Sequence, residues 1–330
     1  MDNRFIAKKL MKACLGELYL CYTDSNVIFG GWYEKTPLAF SGCLLGLAGA
    51  GNLILDIFPL LSHIFSLSGL ILWFYFLVSH LNNWHESKKE LKKAPVLSGM
   101  ATFPMAGMIL STYLLRILPS NMSIVAQILW WFAFLLDVYL ILYFTKNYTL
   151  VKQRASATPT WTVLYVGIAV ATLTYPVVGI VGIAYGAWIF GFILTLILYP
   201  LIYQDLRKNP LPLALLGQEG IYCAPFSLLL AALVRVGGYS LPSWILLVMI
   251  LASQTFFFFV LSRLPRILKQ GFQPAFSALT FPTIITATSL KMSQGILQFP
   301  VLNLLVWLEI IICLTILIYV LVEYVRYLRK

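Results

Sequence analysis

Charge is scarce in this chain. Only 11% of its 330 residues are Asp, Glu, Lys or Arg, against 60% that are apolar. Soluble domains carry roughly a quarter charged residues and about half apolar. A soluble fold of this length could not hide so much apolar surface, so lipid must cover part of it. Acids are scarcest of all: 12 Asp and Glu stand against 23 Lys and Arg. The resulting net charge of +11 could suggest nucleic acid. That reading fails because the cations sit in short stretches between apolar runs, where they act as topology signals.

Other absences narrow the function. Three histidines, His63, His80 and His85, are scattered near helix ends and form no ligand cluster. Five cysteines, Cys14, Cys21, Cys43, Cys223 and Cys313, contain no CxxC pair, and three lie inside apolar runs. They read as small hydrophobes, with neither a metal site nor a disulfide framework. HExxH, GxSxG and phosphate-loop motifs are missing, so neither an enzyme, a resident cofactor nor coupling to nucleotide hydrolysis within this stretch is expected. The first 36 residues lack an apolar core followed by a cleavage site, and read as a cytoplasmic or interfacial segment, not a signal peptide.

What is present is a series of long apolar runs. A spanning helix needs roughly 20 apolar residues. On that basis the sequence predicts an all-α membrane protein with spans at 37–55, 64–83, 96–118, 122–145, 160–180, 182–203, 214–236, 240–262, 272–292 and 301–324. The transmembrane domain thus covers residues 37–326, with a short tail at 327–330. Residues near Gly182 form a tight hairpin between the fifth and sixth spans. With the N-terminus inside, inner segments hold 20 Lys and Arg, and outer segments hold only Arg116, Arg235 and Lys291. The positive-inside rule then puts both termini in the cytoplasm.

A faint repeat runs through the odd spans. Thr102-Phe103-Pro104 lies in the third, Cys223-Ala224-Pro225 in the seventh and Thr280-Phe281-Pro282 in the ninth. A helix-interior proline removes one hydrogen bond and clashes with the carbonyl four residues back, here Met100, Ile221 and Ala278. Freed carbonyls are costly in hydrocarbon, so three such kinks at one depth predict a shared interior away from lipid. Five helical hairpins follow, with kinked odd helices inside and even helices outside. Phe103 and Phe281 could each close a narrow pore by excluding water, or simply pack in the core. Gly42, Gly46 and Gly49 share one helical face, which suits either a thin wall or close helix packing.

Few ionisable groups fall inside the runs. Asp137 and Glu309 lie on even helices, where they either couple transport to protons or tie two helices together. The kinked helices carry no acid at mid-depth, which disfavours a cation path. Arg116, Arg235 and Lys291 stand at outer helix ends, either as an anion-attracting mouth or as caps on the helix dipoles.

The stretches 42–52 (GCLLGLAGAGN), 98–110 (SGMATFPMAGMIL), 159–173, 220–234 and 276–289 (FSALTFPTIITATS) resemble the tellurite-resistance/dicarboxylate transporter family. That family includes a bacterial tellurite-resistance protein, plant guard-cell slow anion channels and fungal malate permeases. The resemblance covers nearly the whole chain from about residue 37. It implies a cell-membrane homotrimer with one pore per subunit, five odd helices lining the pore and five even helices around them. It also implies a phenylalanine plug in the ninth helix, which by motif position is Phe281, with Phe276 as the alternative register. The implied substrates are small inorganic or organic anions, passing through a channel-like permease. The alternative is a proton-coupled carrier for dicarboxylates or oxyanions such as malate, sulfite or tellurite. The sequence departs from the family at Leu44 and Leu164, where prolines often kink the first and fifth helices.

Overall fold

The computed structural model of the chain describes residues 36–329. Expectations for the N-terminal segment, Cys14 and Cys21 lie outside the described residues. Among those residues there is no strand, and ten long helical segments follow one another. They are α1 (Leu38–Leu53), α2 (Pro59–Asn82), α3 (Ala94–Ile117), α4 (Ser120–Thr149), α5 (Thr160–Val177), α6 (Val181–Lys208), α7 (Leu213–Ser240), α8 (Ser243–Leu268), α9 (Thr280–Leu297) and α10 (Pro300–Leu328). A short helix, Trp84–Glu90, joins α2 to α3. The tight turn before α6 is built by Gly179 at φ 73°, three residues ahead of the expected Gly182.

Eight of these helices, α2 to α8 and α10, are long and apolar enough to cross a bilayer. The expected spans at 37–55 and 272–292 fall short of that standard for two different reasons. With 16 residues at 1.5 Å rise, α1 reaches about 24 Å, less than the roughly 30 Å hydrocarbon core. α9 carries Thr280, Thr283, Thr286, Thr288, Ser289, Lys291, Ser293 and Gln294, too many polar groups for a lipid-facing helix. Both are instead buried in protein over most of their length.

The segments fall into two classes. In α3, α5 and α7, 61–72% of the apolar stretch is buried, against 28–39% in α2, α4, α6, α8 and α10. Contacts between the buried segments run α1 to α3, α3 to α5, α5 to α7, α7 to α9 and α9 back to α1. The exposed helices pack between successive members of that cycle, as α2 does between α1 and α3. Their outer faces carry apolar side chains such as Leu60, Ile128, Leu251 and Ile311, the composition that lipid tails require.

The buried class is also irregular. α3 breaks at Met100–Ala101, and α9 is entered through a 3-10 turn at Pro274–Leu279. α7 runs as a 3-10 helix over Leu213–Cys223 before becoming α-helical at Ala224. The tighter winding re-pairs the carbonyls that proline strands: Phe103 N–H donates to Met100 O at 3.0 Å, and Ala224 N–H donates to Ile221 O. α5 is broken too, at the 3-10 turn Gly167–Ala169. The absence of proline at Leu164 therefore does not leave this segment straight.

Candidate functional site

Glycine on α1 sets how close α9 can come. A Cβ at Gly46 would stand 2.8 Å from the Thr280 side chain. One at Gly49 would stand 3.2 Å from the Phe281 ring. The Thr280 hydroxyl donates to Gly42 O at 2.9 Å and to Ser277 O at 2.7 Å, fastening the approach. On the other side, α7 meets the entry of α9 at Gly217 and Gly220, where a Cβ would lie 2.4 Å from Ala275 O and 2.6 Å from the Leu279 side chain. The glycine face on α1 thus serves close helix packing, and Gly42 also reaches a cavity wall.

That cavity holds about 380 Å³ and draws its wall from all five buried segments. Gly42 and Leu45 come from α1, Thr102 and Met105 from α3, Thr160 and Val166 from α5. Gln218 and Pro225 come from α7, and Phe281 and Pro282 from α9. The Phe281 ring is 4% exposed and lines this space, while Phe276 does not, packing 5.6 Å from Phe272. Most of the lining is apolar. Its polar groups include short hydroxyls and the amides of Gln218 and Gln273: Thr102 pairs with Ser41 at 2.7 Å, and Thr160 with Ser98 at 2.7 Å. Gln218 is 5% exposed and its Oε1 has no hydrogen-bond partner. Glu90 and Lys93, both exposed, stand at one end. Sequence reasoning missed Thr102, Thr160 and Gln218, because a threonine in an apolar run carries no signal of the direction it faces.

Of the Thr102-Phe103-Pro104 element only the threonine reaches the cavity. Phe103 stacks on Trp73 with centroids 4.5 Å apart and planes 5° from parallel, and on Phe76 at 5.4 Å. Trp73 Nε1 donates to Phe103 O at 3.0 Å. Phe103 and Pro104 line a separate groove between α2, α3 and α4. Of the two readings of Phe103, the packing agrees with a core ring in this outer groove, and Pro104 lies beside it, apart from Pro225 and Pro282 in the cavity wall. An indole from α2 holds that ring on the outer side of α3.

The three outer cations are used differently. Lys291 Nζ pairs with the Asp56 carboxylate and donates to Leu53 O at 2.7 Å. Partial burial works to raise the Asp56 carboxyl, but the bond and charge of Lys291 outweigh it and hold the group below its ordinary value. Arg116 donates to Asn52 Oδ1 at 2.8 Å. Arg235 is exposed and forms no ion pair among the described residues.

Asp137 and Glu309 are both fully buried, and none of their carboxylate oxygens has a hydrogen-bond partner. Neither lines the cavity. Among the described residues no three His, Cys, Asp or Glu side chains gather where they could hold a metal.

Residues 35–325 match the sequence model of the SLAC1 family, described as voltage-dependent anion channel. The chain belongs to the SLAC1 family. The match begins just before α1 and runs into α10, so it takes in the cavity and every segment that lines it. No curated protein matches the chain. SLAC1 membership makes this a multi-pass membrane protein of a transporter family, with small anions as its substrates. SLAC1-family proteins are transporters, not enzymes.

Proposed function

We propose that this protein is an anion channel or channel-like permease whose pore is the cavity beside Phe281. In this reading all ten helical segments cross the membrane as five hairpins. The short or polar segments α1 and α9 do so because protein, not lipid, surrounds them. The odd segments ring the pore, the even ones face lipid, and both termini lie in the cytoplasm of a cell-membrane homotrimer. Phe281 is the gate, with its ring packed against Gly49. Pro225 and Pro282 bend their helices beside it.

The observation that carries this reading is the cavity wall, to which all five buried segments contribute and in which Glu90 is the only acid among the described residues. Threonine hydroxyls and the Gln218 amide can replace part of an anion's water shell without trapping it. Arg235, free at an outer helix end, raises the local anion concentration, while Arg116 and Lys291 mainly tie the outer ends together. Purified protein in liposomes tests the reading. Replacing chloride by nitrate, sulfite or malate should shift the reversal potential as each anion's electrochemical gradient dictates. Flux that saturates and follows a pH gradient instead would contradict a channel.

The second reading, a proton-coupled carrier, draws on the orphaned carboxyls of Asp137 and Glu309. Neither side chain lines the cavity, which counts against it. Under this reading Glu309→Gln abolishes pH-driven uptake, and under the channel reading it leaves the anion conductance unchanged.

A further inference from the structure

A second hollow opens on the flank of the molecule. This groove of about 610 Å³ lies between α2, α3 and α4. Its floor is apolar, formed by Phe76, Phe103, Pro104, Phe132 and Leu136. Lys88, Lys92 and His80 line it as well. Trp84, Tyr139 and Tyr143 line it too and are 44–58% exposed, an aromatic fringe of the kind found at membrane interfaces.

The basic side chains lack counter-ions. Glu86 pairs with Lys89 at 2.7 Å, and Glu90 lines the central cavity with Lys93. Lys88 and Lys92 are exposed and form no ion pair among the described residues. His80 bonds Ser87 through Nδ1 at 2.9 Å, while its Nε2 is buried without a partner. Two unpaired ammonium groups and an unsatisfied imidazole nitrogen thus share one hollow with an apolar trough. A ligand that satisfies all of these carries an anionic, hydrogen-bonding head and a long apolar tail. Clustered lysines beside a spanning helix attract anionic headgroups by about 1 kcal/mol each, and the trough volume is typical of a ligand site.

We propose that this groove is a binding site for an anionic phospholipid, with the phosphate held between Lys88 and Lys92 and one acyl chain laid along Phe132 and Leu136 to Pro104. The two lysines distinguish the site from ordinary lipid contact, because a zwitterionic head neutralises its own phosphate. The occupant ends against the break in α3, one helix wall away from the central cavity.

Native mass spectrometry of the full-length protein tests this without measuring transport. Phosphatidylglycerol and phosphatidylcholine of matched chains are titrated onto wild type and K88Q/K92Q, both of whose changes are at exposed positions. Wild type should retain phosphatidylglycerol preferentially, and K88Q/K92Q should retain it roughly tenfold less. Brominated phosphatidylglycerol should quench wild-type fluorescence more than that of Trp84→Phe. Equal retention of the two lipids, or unchanged retention in K88Q/K92Q, would overturn the proposal. So would a K88Q/K92Q change confined to oligomer mass, which would assign the groove to a neighbouring copy. Increased quenching after deletion of residues 2–35 would also overturn it, by making the chain's own N-terminus the occupant.

Discussion

The same tripeptide, Thr-Phe-Pro, occurs at 102–104 and at 280–282, and the two copies face in different directions. In α3 the threonine reaches the cavity and the phenylalanine turns outward onto Trp73. In α9 the threonine turns toward α1 and the phenylalanine reaches the cavity. One residue along a helix is a rotation of about 100°, so the two segments differ by about one residue in the face they show to the centre. What selects each face lies on a neighbour. Beside Phe103, α2 supplies an indole that stacks on the ring and bonds its carbonyl. Beside Phe281, α1 presents Gly49, which has no side chain to stack on the ring. A motif that reads identically in sequence is thus a packing anchor in one place and a cavity wall in the other.

Removing the anchor should cost the most stability. Phe103→Ala deletes a buried ring from a stacked trio and is expected to lower stability by about 3–5 kcal/mol. Thermal unfolding in detergent measures this, and anion flux per folded molecule should stay at the wild-type level. A rise in flux would place Phe103 in the path after all. The glycine side of the comparison comes next. Gly46→Ala drives a Cβ into Thr280 at 2.8 Å, whereas at Gly49 the closest atoms, at 3.2 Å, are side-chain ends of Ile284 and Phe281. Overpacking of this kind costs about 1–3 kcal/mol, with Gly46→Ala the more damaging in a melting comparison. Gly49→Ala should instead alter flux more than stability, since the ring must yield. Equal melting shifts would mean that α1 and α9 separate easily.

A smaller effect is expected behind the hinge of α7 and α9. The Ser227 hydroxyl donates to Cys223 O at 2.5 Å and also meets the hydroxyls of Ser253 at 2.7 Å and Thr286 at 2.9 Å. Ser227→Ala should cost about 1 kcal/mol, the net value of an intramolecular hydrogen bond, read as a modest melting shift. Smallest of all is the Asp56–Lys291 pair. Its carboxyl is held below its ordinary value, so its stabilisation is complete above that value and fades as pH falls through the lowered one. The side chain is 69% exposed, and such pairs contribute at most about 1 kcal/mol. Asp56→Asn should therefore flatten the acid limb of the melting profile slightly and leave neutral-pH stability almost unchanged.

Much of this fold was legible in the apolar runs. The alternation of classes showed in the prolines of the odd segments, and the structure separates the same segments by burial. α1 and α9 were legible as helices, but their shortness and polarity make sense only once protein is seen to cover them. The break at Gly167–Ala169 left no trace, because 3-10 winding there needs no proline. Phe281 could be singled out by its motif, yet the same motif pointed equally to Phe103. Side-chain direction depends on Trp73 and Gly49, each more than 29 residues away in sequence, and no local pattern encodes it. The pairing of Lys291 with Asp56 was not legible either, since the two residues lie far apart in the sequence.

Paired recordings of Phe281→Ala and Phe103→Ala in a planar bilayer, normalised to reconstituted protein, test the central assignment most directly. A constitutive anion conductance, at least about tenfold above wild type, is expected in Phe281→Ala alone, since one lost barrier of 1.4 kcal/mol is a factor of ten. Wild-type currents from Phe281→Ala, or equal opening by the two variants, would contradict it.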